Sequence, residues 1–187
     1  MDIVDIIAGC KKGDKKCQDA LVREYAGVLM AICYRYTKDR VVAQDALQET
    51  FINTFKYFHS YNGKGSFDGW IKRIAVNCSL TFMKKLRAAH YADEIDDRLH
   101  AKTTVPEVYS TMGKAEVLEL LKELPHSMYT IFNLIIIEGY NHADVSKMLD
   151  ISERTSRATL SRARARLIEI MKREETLETQ RINHLHN

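Results

Sequence analysis

Asn141-His142-Ala143-Asp144-Val145-Ser146-Lys147-Met148-Leu149-Asp150-Ile151-Ser152-Glu153-Arg154-Thr155-Ser156-Arg157-Ala158-Thr159-Leu160-Ser161-Arg162-Ala163-Arg164 reads as two helices meeting at a tight turn. Asn141 and Ser152 are residue types that cap a helix by accepting from its orphaned N–H groups. Between them Val145, Met148 and Leu149 form the inner face of a short helix, and Ile151 sits in the turn. After Ser152 the pattern buries Leu160, Ala163, Leu167 and Met171. At 100° per residue, Arg154, Arg157, Ser161 and Arg164 fall within roughly 80° of one another on another face. That is the outline of a helix-turn-helix, whose second helix can enter a major groove. A solvated arginine face on an ordinary helical hairpin has the same spacing, so spacing alone leaves both readings open.

Working outward, the second half gives four helical stretches, 114–124, 127–137, 142–149 and 153–173, broken by Pro125, Gly139 and Asp150-Ile151. The first half gives three more. Residues 15–36 carry the stripe Leu21, Tyr25, Val28, Leu29, Ile32 and Tyr36. Asp39 can cap the next helix, with Ala43, Leu47, Thr50/Phe51, Thr54/Phe55 and Phe58 inward; Phe51, Phe55 and Phe58 read as bundle core. A breaker-rich loop, 59–66, precedes a helix from about Phe67 to Arg87 with Ile71, Ile74, Cys78 and Phe82 inward. Periodicity is lost from His90 to about Gly113, a stretch too long for a loop within one compact domain. The expected layout is therefore all-α: a helical domain 1–90, a linker 91–112 and a helix-turn-helix domain 113–187.

Composition agrees. Gly (8) and Pro (2) are scarce among 187 residues, which favours long helices over a turn-rich sandwich. The longest aliphatic run, Leu134–Ile137, is far short of the ~20 residues that span a bilayer. Ile7-Ala8-Gly9-Cys10 resembles a lipoprotein cleavage box, but Asp2 and Asp5 replace the expected cations and no apolar core precedes the cysteine. Export is not expected. Cys10, Cys17, Cys33 and Cys78 show no metal-ligand spacing and read as free thiols in a reducing cytoplasm. The net charge of +3 predicts little, but residues 152–166 hold Arg154, Arg157, Arg162, Arg164 and Arg166 against Glu153 alone.

The residues resemble those of bacterial RNA polymerase sigma factors of the extracytoplasmic-function group. Leu124-Pro125, Phe132-Asn133-Leu134, Glu138-Gly139-Tyr140, Leu149–Thr155 and Leu160–Arg164 are similar to region four, which reads the minus-thirty-five element. Independently, Asp45-Ala46-Leu47-Gln48-Glu49-Thr50-Phe51 and Ser66-Phe67-Asp68-Gly69-Trp70-Ile71-Lys72-Arg73-Ile74-Ala75-Val76-Asn77 resemble region two. Asp150 stands where the family usually has Gly, His142–Ser146 varies the usual Glu-Ile-Ala segment, and Ser156 stands where Val is common.

The resemblance implies three surfaces. Asp45, Gln48, Glu49 and Ile52 follow i, i+3, i+4, i+7 spacing; alone they would read as a solvated face, but here they imply docking on core RNA polymerase. Tyr61, Asn62, Lys64, Ser66, Trp70, Arg73, Asn77 and Lys84 are implied minus-ten contacts, the loop receiving an unpaired base. Leu80 shares the face of Arg73, Asn77 and Lys84. Arg154, Thr155, Arg157, Ala158, Ser161, Arg162 and Arg164 are implied minus-thirty-five contacts.

The function expected is that of a cytoplasmic transcription initiation factor without cofactor or catalytic site, since no P-loop, metal cluster or paired acid/base set appears. Its expected partners are core RNA polymerase and promoter DNA, with an anti-sigma factor as a further one, and no membrane insertion. A stand-alone helix-turn-helix regulator would leave the 45–49 motif and the Trp70 segment unused. A helical adaptor is the remaining alternative.

Overall fold

The structure is a computed structural model that describes residues 2–90 and 120–185. Among them every regular element is helical, and the chain divides into two compact units, Met1–Thr104 and Val105–Asn187. The expected linker 91–112 and most of the expected helix 114–124 lie outside the described residues.

The first unit holds α1 (Ile3–Lys11), α2 (Lys15–Thr37), α3 (Arg40–Lys56), a 3-10 turn (Phe58–Ser60) and α4 (Phe67–His90). Local chemistry sets the boundaries. Asp14 Oδ1 accepts from the N–H groups of Lys16 (2.8 Å) and Cys17 (3.4 Å), starting α2. Lys38 then turns left-handed (φ 53°), and Asp39 at once caps α3 by accepting from Val42 N at 2.9 Å. Two long helices thus reverse direction within Lys38 and Asp39.

The core of this unit joins Leu21, Leu29, Ile32, Cys33 and Tyr36 of α2 to Ile71, Ala75, Val76 and Ser79 of α4. α3 contributes small residues: Ala43, Ala46, Thr50 and Thr54 are its buried positions. Buried hydroxyls are satisfied within their own helices, Thr50 donating to Ala46 O (2.6 Å), Thr54 to Thr50 O (2.7 Å) and Ser79 to Ala75 O (2.7 Å). This corrects the expected aromatic core. Phe58 is 3% exposed, but Phe51 and Phe55 are only half-buried and stack on each other at 6.3 Å. The small-residue face lies inward, and the larger rings fall to its flank.

The helix α1 was not expected. Ile6 and Cys10 bury its inner side against α2, and the approach is close: a Cβ on Gly9 would lie 2.1 Å from Cys17 Sγ. All four cysteines are free and buried. Burial, reinforced by Cys17 and Asp14, pushes the Cys10 thiol up to about 11, and burial also raises Cys33. At neutral pH these two thiols stay protonated and poorly nucleophilic.

In the second unit a helical turn at 120–122 leads through Pro125 into α5 (His126–Phe132), which runs on as a π-helical turn (Asn133–Ile137). Then come α6 (His142–Leu149) and α7 (Glu153–Leu185). Leu121, Leu124, Tyr129, Ala163 and Ile170 form the core, with Leu167 packed at its edge. α7 is longer than expected, and Ile170 (2% exposed) takes the inward place expected of Met171 (48% exposed). Asp150 is left-handed (φ 57°, ψ 50°), in a region that costs side chains with a Cβ. Asp150→Val should therefore destabilise this unit by about 1–2 kcal/mol in urea denaturation, whereas Asp150→Gly should not. Equal losses with both would show that the carboxylate, not the backbone, holds the turn.

Candidate polymerase-docking and DNA-reading surfaces

On α3, Asp45, Gln48 and Ile52 (51% exposed) face solvent, turned away from the Ala46/Thr50/Thr54 seam. Glu49 is half-buried and its Oε1 accepts from Asn53 Nδ2 at 3.0 Å. The same Nδ2 lies 3.5 Å from Cys78 Sγ on α4. The stripe is thus an exposed acidic and apolar face on a helix fixed from behind.

The 59–66 loop is shaped by its own polar groups. Asn62 Oδ1 accepts from Lys64 N at 3.0 Å, and Tyr61 OH donates to Gly65 O at 3.1 Å. Gly63 and Gly65 take positive φ, 78° and 89°, which glycine adopts without a Cβ penalty. Ser66 Oγ accepts from Gly69 N at 3.1 Å, opening α4. Beneath the loop lies an aromatic cluster. Trp70 stands 5.5 Å from Phe67, 5.5 Å from Tyr61 and 5.8 Å from Phe58, and Tyr61 is 5.2 Å from Phe67. Tyr61 and Trp70 are half-buried, while Asn62, Lys64 and Ser66 are exposed. Tyr61 therefore forms a wall of the loop.

Arg73, Asn77 and Lys84 are exposed on α4, joined by Thr81, whose hydroxyl donates to Asn77 O at 2.8 Å. Leu80 does not share this exposed face: at 6% exposure it belongs to the core. At 100° per residue it falls about 20° outside the Arg73–Asn77–Lys84 arc, on the side of the buried Val76. Asn77 also lines a groove between α3 and α4 with Glu49, Asn53 and Tyr57. Thr81 continues the 73–77 spacing and could have been read from the sequence. The packing of Trp70 on Phe58 and Tyr61 could not, since it depends on tertiary placement.

The helix-turn-helix is built from both caps. Asn141 Oδ1 accepts from Asp144 N at 2.8 Å, starting α6. Ser152 Oγ accepts from Thr155 N at 3.0 Å and lies 2.8 Å from Thr155 Oγ1. Ser146 Oγ donates to Ile151 O at 2.5 Å, pinning the turn. Ser156 is buried, its Oγ 2.9 Å from His142 Nδ1, so a hydrogen bond joins α6 to α7. Arg154, Thr155, Arg157, Ala158, Ser161, Arg162 and Arg164 are all exposed on α7. Arg157 Nη2 pairs with Glu153 Oε2 at 2.5 Å, and Arg162 Nη2 donates to Thr159 Oγ1 at 3.2 Å. Arg162 sits about 80° round the helix from Arg154, at the edge of the basic face.

Residues 21–89 match the Sigma-70 region 2 model and residues 114–167 the Sigma-70 region 4 model. The chain is 26% identical over 170 residues to the ECF RNA polymerase sigma-E factor of Haemophilus influenzae, covering 85% of this chain and 89% of that one. It is 28% identical over 153 residues to the ECF RNA polymerase sigma factor SigM of Bacillus subtilis, covering 80% and 91%. Among solved structures, the fold is similar to the sigma factor RpoE in complex with the anti-sigma factor NepR from Bartonella quintana. The TM-score is 0.56, with 20% identity, covering 82% of this chain and 96% of that one. These relatives are initiation factors and not enzymes. With both sigma-70 regions present in order, the chain belongs to the sigma-70 family of bacterial transcription initiation factors, in its extracytoplasmic-function group.

Proposed function

We propose that this sigma factor directs core RNA polymerase to its promoters by reading the minus-thirty-five duplex with α7 and capturing the opened minus-ten strand with the 59–66 loop and α4. Binding to core polymerase and promoter DNA comes with the family; the division of labour among residues is our reading. Its strongest support is the exposed arginine face directly behind the Ser152 cap, in one chain with the Asp45/Gln48/Glu49/Ile52 stripe. In this reading Asp45, Gln48, Glu49 and Ile52 hold polymerase. Asn62, Lys64 and Ser66 receive the unpaired base against the Tyr61/Trp70 wall. Asn77 bonds a base, and Arg73 and Lys84 hold phosphate. Arg154, Arg157, Arg164 and their hydroxyl neighbours face the duplex.

Among the described residues no helix is long and apolar enough to cross a membrane, and we place the protein with polymerase in the cytoplasm. An anti-sigma factor is a proposed further partner, as in the RpoE–NepR complex. Run-off transcription with purified core polymerase, followed by genome-wide promoter mapping, tests the assignment. Defined start sites that require the chain are expected; their absence would refute it.

We also read 91–112 as a linker between independently folding domains, 1–90 and 113–187. Limited proteolysis should then cut first near 95–108, and the first fragment alone should bind core polymerase. Protection of that stretch, with cleavage elsewhere, would mean that the two domains pack as one body.

A further inference from the structure

Between Cys10 and Cys17 the chain reads Lys11-Lys12-Gly13-Asp14-Lys15-Lys16, ahead of the matched region 21–89. All four lysines are exposed, and the acid among them, Asp14, is engaged in capping α2. Lys16 opens onto a groove of mixed charge with Asp19, Arg23 and Glu24. Lys11, Lys12 and Lys15 remain as a basic turn.

Tertiary structure places this turn beside the 59–66 loop. α1 packs on the 3-10 turn Phe58–Ser60, and Lys11 Nζ stands 5.6 Å from the centroid of the Tyr61 ring. An exposed cation–π contact accounts for the pose of Lys11 but leaves Lys12 and Lys15 without a role. We propose that Lys11, Lys12 and Lys15 bind backbone phosphates of the opened DNA strand flanking the captured base. A nucleotide lodged against the Tyr61 wall brings its neighbouring phosphates within reach of Lys11, with Lys64 on the loop itself. Lysine suits this use, because a flexible point charge holds phosphate without reading sequence. The inference rests on the base-capture reading of the loop.

The test uses the full chain in complex with core polymerase and a mapped promoter fragment, pre-opened across its minus-ten region. Affinity is measured as a function of salt. The triple variant Lys11→Gln/Lys12→Gln/Lys15→Gln should bind at least about tenfold more weakly. Its plot of log affinity against log salt should be shallower by about 2, from roughly 0.7 per single-strand phosphate contact. The corresponding triple arginine variant should restore both. Parent affinity and slope in the glutamine variant, with Asn62→Ala on the loop weakened, would overturn the lysine site and leave base capture standing. No loss in either would remove base capture and the lysine site with it. A loss of binding to core polymerase measured without DNA would make the turn a protein contact and equally refute the proposal.

Discussion

Replacing Arg157 and Arg154 by Glu is expected to abolish promoter-specific transcription while leaving binding to core polymerase unchanged. Both side chains are exposed on the first turns of α7, behind the Ser152 cap. A lost guanine or phosphate contact costs about 1–3 kcal/mol, and each reversal adds repulsion from the DNA backbone. Together the two should lower promoter affinity by at least about a hundredfold. The fold should survive, because the Arg157–Glu153 pair is exposed and such pairs contribute little. Run-off yield and polymerase co-purification would be read on the same preparations. Full transcription from both variants would show that this helix is not the reader.

The second large effect belongs to α3. Reversing Asp45 and Glu49 to Lys should remove polymerase binding, and with it promoter selectivity. Asp45 is exposed, and Glu49 gives up only its bond from Asn53, worth about 1 kcal/mol net. Unfolding is therefore not the expected cause, and a thermal melt close to that of the parent chain would confirm it. The free parent protein should bind DNA weakly and with strong salt sensitivity, gaining sharp selectivity when core polymerase is added. Two weak modules gain avidity only when something fixes their separation, and docking on polymerase would do so. A footprint by the purified protein alone over a palindromic site, at physiological salt, would instead favour a stand-alone regulator.

What the sequence disclosed was mostly local. Asp39, Asn141 and Ser152 cap the helices they were expected to cap, because a cap needs only its own residue and the next turn. Helix 142–149 is observed with the same boundaries. Errors arose where size and spacing mislead. Phe51 and Phe55 look like core on any hydrophobicity scale, yet helices that approach closely need Ala43, Ala46, Thr50 and Thr54 there. On α7 the inward positions run 160, 163, 167, 170, alternating three and four; a second step of four wrongly selects Met171. α1 carried a readable signal in Ile3, Ile6, Ile7 and Cys10, at helical spacing, which the resemblance of Cys10 to a processing box obscured. Lys11 on Tyr61 joins residues fifty positions apart and has no local signature.

The seam of α3 bears on how such a protein can diversify. Its inner positions tolerate little enlargement, since added methylenes would push α3 off α2 and α4, at about 1–3 kcal/mol per overpacked site. Its outer positions bear no such load: Asp45, Gln48 and Ile52 touch solvent and can be exchanged at small cost to the bundle. One helix therefore separates two kinds of heritable change. On the proposed docking role of the outer face, variation there retunes which surface the factor engages, and how tightly, while the inside keeps the scaffold unaltered. On that proposed role, a duplicated copy of this chain could drift toward a new partner through these three residues without first acquiring compensating mutations in its core.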